Sequence, residues 1–239
     1  MFKGGRLGGA SKSLLAVIDA LALSSSAWWH LLHSLTRVCP PSPVSQCRVH
    51  DSGDAGIMVV GEGVAGVYEG NDVFRNRSSG LFVLNGARPS VRDNMLRENA
   101  HGLSILHART RGRFVNNDVL SSSEAGVQIS EGACPTLIGN RIRLGRLVGV
   151  GISQGGSNPT LLRNEVSDNA GTAVLILEGA RPTLKGNTLA RGPRCGVLVS
   201  GEGSLPRIEG NSITDCLEVG AAWPCPACLP VRPPPTCPL

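Results

Sequence analysis

Asparagine returns along this chain with a fixed period: Asn71, Asn94, Asn117, Asn140, Asn164, Asn187 and Asn211 are separated by steps of 23 or 24 residues. Three places before each stands an apolar residue, Tyr68, Val91, Phe114, Leu137, Leu161, Leu184 or Ile208. Two places after each stands Val73, Leu96, Val119, Ile142, Val166, Leu189 or Ile213. Five of the copies have Pro five places before the Asn (Pro89, Pro135, Pro159, Pro182, Pro206), and a degenerate earlier copy holds Val44 and Val49 with Cys47 in the Asn position. A unit this short cannot bury an apolar face alone. Its copies must stack, each contacting its neighbours, so the period restricts the chain to a solenoid.

Each copy carries a second apolar block, such as Gly80-Leu81-Phe82-Val83, Gly126-Val127-Gln128-Ile129 and Gly196-Val197-Leu198-Val199. The first and third apolar positions are aliphatic throughout, while the middle one varies, which is the alternation of a strand with one buried face. Two or three short strands joined by Gly, Pro and Asn turns fill a copy and leave no room for a helix. The 31 Gly and 16 Pro and the 3% aromatic content suit such tight turns and thin aliphatic layers. The expected fold is all-β: a right-handed parallel β-helix of about seven coils, roughly 34 Å long at the spacing of parallel strands. The Asn column is expected to be structural, with Asn tolerating a sharp left-handed bend and its amides bonding along the stack.

The repeat marks out three segments: an N-terminal segment over 1–41, the β-helix over 42–219 and a tail over 220–239. Leu14, Leu15, Val17, Ile18 and Leu21 are spaced for an amphipathic helix, so residues 11–36 are expected to cap the first coil near Val44 and Val49. The apolar run Leu14–Leu23 is interrupted by Asp19 and too short to span a membrane. The tail is rich in Pro and Cys and reads as low-complexity sequence. Eight scattered cysteines in a chain with an aliphatic core read as reduced thiols of an intracellular protein, and Cys225-Pro226-Ala227-Cys228 as a chance cluster rather than a zinc site.

The outward strand positions are where charge and chemistry would reach a ligand. Residues 42–219 hold 18 basic and 17 acidic side chains, a balance that argues against a simple polyanion-binding stripe. The outward columns beginning at Met58 and Val60 hold no carboxylate, His or Arg. Glu131 and Glu178 stand at the following turn, two coils and roughly 10 Å apart with Gln154 between them, and read as solvated turn residues rather than the paired carboxylates of glycoside hydrolysis. Asp72, Asp93, Asp118 and Asp168 read as turn residues without a cluster, Arg141 and Arg143 as outward neighbours of core Ile142, and His101 and His107 as pointing to no common centre. Phe82, Leu84, Leu106, Leu175, Leu177 and Leu198 instead place apolar groups on an outward face, to be covered by a loop or helix of a longer chain or to serve as a partner surface. No catalytic residue, metal site or cofactor is expected.

The segments Glu131-Gly132-Ala133-Cys134-Pro135-Thr136-Leu137-Ile138-Gly139-Asn140-Arg141-Ile142 and Glu178-Gly179-Ala180-Arg181-Pro182-Thr183-Leu184-Lys185-Gly186-Asn187 resemble the parallel β-helix repeats of carbohydrate-binding and sugar-hydrolase proteins. Among these they look closest to the substrate-recognition region of the F-box only proteins ten and eleven. That resemblance covers 42–219 and implies a non-catalytic, cytoplasmic or nuclear β-helix that holds the protein substrate of a cullin–RING ubiquitin ligase. No F-box segment is seen, so direct binding of the cullin adaptor is not expected, nor of nucleic acid or membrane. The alternative is a carbohydrate-binding or polysaccharide-processing β-helix.

Overall fold

The computed structural model describes residues 43–216. The expected N-terminal cap and the Pro/Cys-rich tail lie outside them. Twenty-three short strands wind into seven complete coils, which begin at 44, 67, 90, 113, 136, 160 and 183, and two strands of an eighth. In the coil beginning at 113 the three strands are Arg113–Val115, Asp118–Leu120 and Val127–Ile129. First strands stack on first strands, second on second and third on third. They form sheets of eight, eight and seven strands, here sheets 1, 2 and 3. All pairings are parallel and in register, as with Phe114 between Val91 and Leu137, Val119 between Leu96 and Ile142, and Ile129 between Ile105 and Ile152. The fold is therefore the all-β parallel β-solenoid of right-handed type that the period implies.

The core is the inside of this tube. The middle residue of each strand in sheets 1 and 2 and the outer two of each strand in sheet 3 point inward. Phe114, Leu137, Ile142, Val127 and Ile129 have no exposed surface, and Val119 is 1% exposed. Each such side chain contributes about 1.5–3 kcal/mol through burial. The glycine opening each third strand serves packing rather than conformation: a Cβ on Gly126 would lie 2.4 Å from the Ile142 side chain and 2.7 Å from the Gly149 carbonyl.

The asparagine column runs unbroken through the inside of the turn between sheets 1 and 2. The main-chain N–H and the Nδ2 of Asn117 both donate to Oδ1 of Asn140 at 2.9 Å, and Asn140 repeats the pattern on Asn164. Each Nδ2 also donates to a carbonyl beneath it, as Asn140 does to Phe114. At the degenerate first position the Cys47 N–H donates to Asn71 Oδ1. The left-handed bend is not on these asparagines. It falls one residue earlier, at Asp93, Asn116 and Arg163 (φ 56°, 52° and 52°) and at Gly139 and Gly186. That leaves the ladder amides in ordinary backbone geometry, free to be selected for hydrogen bonding alone.

Candidate functional site

The two flanks of the tube next to sheet 3 carry different chemistry. On sheet 2 and the turn that follows it, cations and carboxylates meet between coils. Arg75 forks onto Asp51 through Nε and a terminal nitrogen, both at 2.9 Å. Arg97 does the same to Asp72, Arg141 to Asp118 and Arg191 to Asp168. Each arginine comes from the coil above its acid, so the forks staple neighbouring coils. The Arg75 fork, helped by His50, holds the Asp51 carboxyl down at about 2, and Arg191 lowers that of Asp168. Phe74 occupies an outward position yet is only 3% exposed. The guanidinium carbons of Arg97, Arg75 and Arg48 lie 4.0, 4.9 and 5.3 Å from its ring centre, and His50 stacks on it. Those cations are engaged with groups of the chain itself.

Sheet 1 differs. Around its outer face Arg88, Arg111, Arg113, Arg163, Arg181 and Lys185 are exposed and take part in no ion pair among the described residues. Of the acids on and beside this face, Glu69 and Glu209 are held by Arg92 and Arg207, while Asp93, Glu178 and Glu202 take part in no ion pair among the described residues. Thr136, Thr160 and Thr183, stacked in register, line the same face with hydroxyls. Beside it, where the turn from sheet 3 enters, a shallow groove of about 380 Å³ is lined by Asn158, Arg181 and glycines. Nearly balanced totals of charge conceal a difference between the flanks: the forks engage most of the charges of sheet 2, leaving Arg143 and Arg146 outside any ion pair among the described residues, while sheet 1 presents most of its cations to solvent.

The apolar residues singled out in the sequence fall on sheet 3, in two groups. Phe82 and Leu84 pair with Met58 and Val60, and Leu106 follows the next strand. Leu175 pairs with Leu198, with Leu177 just beyond. Gln128 and Gly151 come between Ser104 and Leu175, so Phe82 and Leu175 stand four coils, roughly 19 Å, apart. All six are half-buried. Glu131 does not approach Glu178; it receives His107 Nε2 at 2.8 Å. The other nitrogen of His107 is buried without a partner, and both ring nitrogens of His101 are engaged, by Glu124 and by the Ala125 N–H. Neither imidazole offers a free nitrogen to the surface.

A protein-family model described as periplasmic copper-binding protein (NosD) matches residues 44–219. The chain belongs to the NosD family. Among solved structures, the A-modules of the mannuronan C-5 epimerases AlgE4 and AlgE6 of Azotobacter vinelandii superpose on this NosD-family chain with TM-scores of 0.64 at 17% identity, over 74% and 73% of it. A double mutant of the periplasmic alginate epimerase AlgG superposes at 0.59 with 14% identity, over 77% of it. The chain spans about half the length of these structures (54%, 52% and 53%), and at such identities the likeness shows the fold. No curated protein sequence matches.

These findings correct several expectations. The match is to NosD and not to an F-box protein, so the ubiquitin-ligase reading falls, with its protein substrate and cullin adaptor as partners. Sequence resemblance misled because the coil consensus is set by the core, the turns and the asparagine ladder, which every β-helix of this kind needs whatever it binds. The non-enzyme expectation is overturned by structural neighbours that are epimerases, and the cytoplasmic one by a family and a neighbour described as periplasmic. The copper of the family's description does not fit this part of the chain: no three His, Cys, Asp or Glu side chains among the described residues come close enough to hold a metal.

Proposed function

We propose that this chain is a polysaccharide-processing β-helix of the periplasm whose substrate is an anionic, uronate-type glycan lying along sheet 1. The observation that carries the reading is the concentration of unpaired cations on and beside that face, six against Arg77, Arg143, Arg146 and Arg194 elsewhere among the described residues. Five of the six are arginines, whose planar fork matches a carboxylate with two hydrogen bonds where lysine offers a point charge. Parallel strands set successive coils about 4.8 Å apart, so Arg88 and Arg111 sit on adjacent rungs and Arg163, Arg181 and Lys185 farther along. The threonine hydroxyls between them suit the hydroxyls of a sugar chain. Support comes also from the structural neighbours, since mannuronan is by its name a polymer of a uronic acid.

The test is binding of polymannuronate and of neutral mannan by isothermal titration. The expected result is binding of the uronate polymer alone, weakening as salt screens the exposed charges. Arg111→Ala with Arg113→Ala should weaken it about tenfold or more, because charge-assisted hydrogen bonds are lost. Equal binding of the neutral polymer, or an unaffected double variant, would overturn the reading.

A further inference from the structure

The turn from sheet 2 into sheet 3 opens in each described coil with a residue in the left-handed region. In all but one coil that residue is polar: Asp51, Arg75, Glu98, Ser121, Asp168, Arg191 or Asp215. In the coil beginning at 136 it is Leu144, at φ 59°. Three places on, the other turns hold Asp54, Ser78, His101, Glu124, Gly171 or Arg194, and this one holds Leu147. A single turn thus places leucine at two positions that are polar or glycine everywhere else, and leaves both leucines more than half exposed, at 56% and 54%. A branched side chain at positive φ is strained against its own backbone. Exposed as they are, neither leucine repays that strain by packing into the coil. Strain kept at a surface position points to a use outside the fold itself.

The uncompensated charges beside the pair share one sign. Arg143 and Arg146 flank Leu144 in the chain and take part in no ion pair among the described residues. The acids of the neighbouring strands and turns are engaged: Glu98 by Arg97, Asp118 by Arg141, Asp168 by Arg191 and Glu124 by His101. Leu144 and Arg146 share the wall of an open surface hollow of about 440 Å³ with Ser121 and Ser123, whose hydroxyls add hydrogen-bond donors beside the guanidinium.

We infer that this turn is a membrane contact: Leu144 and Leu147 enter the acyl boundary of an anionic bilayer while Arg143 and Arg146 pair with its phosphates. Apolar groups that sink just below the headgroups, with cations that stay among them, are the chemistry of a peripheral interface. A protein partner would have to match the leucines with a pocket and the arginines with acids at fixed places, whereas a fluid bilayer supplies both to any arrangement. Two leucines and two arginines make the contact reversible rather than an anchor. It uses no residue of the sheet 1 face, does not depend on the glycan reading, and departs from the expectation drawn from the sequence that no membrane is bound.

Flotation of the full chain with vesicles of phosphatidylcholine alone, and of phosphatidylcholine mixed with phosphatidylglycerol, tests it alongside thermal melting. Wild type should float with the mixed vesicles, less so as salt is added, and not with the neutral ones. Leu144→Asn with Leu147→Ser should weaken binding about tenfold or more while the melting temperature holds or rises, because asparagine tolerates the left-handed region. Arg146→Gln should weaken binding to the mixed vesicles and leave melting unchanged. Absence of flotation by wild type would leave a protein as the occupant and overturn the site. Equal flotation with neutral vesicles, or undiminished binding by the leucine variant, would overturn it too. So would a lowered melting temperature in that variant, which would make the leucines packing residues. Self-association of wild type that the leucine variant loses in sedimentation would make a second copy the occupant, against the membrane.

Discussion

Asn140 shows how much one residue carries in this fold. Its Oδ1 accepts two hydrogen bonds from Asn117 and its Nδ2 donates to Phe114 and Asn164, all in buried surroundings. Asn140→Ala strands several of these groups at once. Each unsatisfied buried group costs about 1–3 kcal/mol, so chemical denaturation should show a loss of at least about 3 kcal/mol. Ile129→Asp should be worse and leave no cooperative unfolding transition, because an unpaired charge would sit in a dry aliphatic stack. Both positions were legible in the sequence, since residues of one type recur at one offset. The arginine forks were not. Asp118 and Arg141 are 23 residues apart, as are Asp168 and Arg191, and the acids read as isolated turn residues until stacking set each arginine over its acid. Leu144 and Leu147 escaped notice for the opposite reason: they depart from their columns in one coil alone, and a single departure leaves no pattern to read.

At the scale of strands and turns, stability against acid belongs to the forks on sheet 2. The Asp51 carboxyl, lowered from 3.8 to about 2, is more readily ionised in the folded chain than in the unfolded one. Its contribution is complete above its unfolded value and disappears as pH falls through the folded one. Asp168 behaves in the same sense. Melting temperature should therefore fall between about pH 4 and pH 2, and the fall should be shallower in Asp51→Asn with Asp168→Asn; an identical pH profile for that variant would show the forks to be indifferent to acid. Sheet 3 was the face whose outward columns the sequence exposed most plainly, because its strands are bracketed by glycine. Sheets 1 and 2 have only one inward residue per strand, so their outward columns could not be told apart by alternation, and the cationic face of sheet 1 emerged only once the three sheets were separated in space.

For the whole molecule, contacts join each coil only to the coils above and below, so stability is a sum over neighbours and is lowest where a neighbour is missing. Within the described residues the last strands are the least covered: Ile213 is 42% exposed, whereas its counterparts Val119 and Ile142 are closed off. Hydrogen exchange should show the amides of the coils beginning at 113 and 136 protected most, with protection declining toward Ser212–Thr214. Uniform protection along the tube would contradict a nearest-neighbour fold.

Asn117 meets Asn140 by the same bonds with which Asn140 meets Asn164, so within this ladder no layer is unique. A genetic duplication or loss of one 23- or 24-residue segment would hand the ladder on to an equivalent partner, shifting the length of the tube by one rung and nothing else. Tube length is thus a heritable quantity that changes in whole steps of about 4.8 Å, and lineages could fit such a protein to longer or shorter stretches of polymer by recombination without inventing a single new contact.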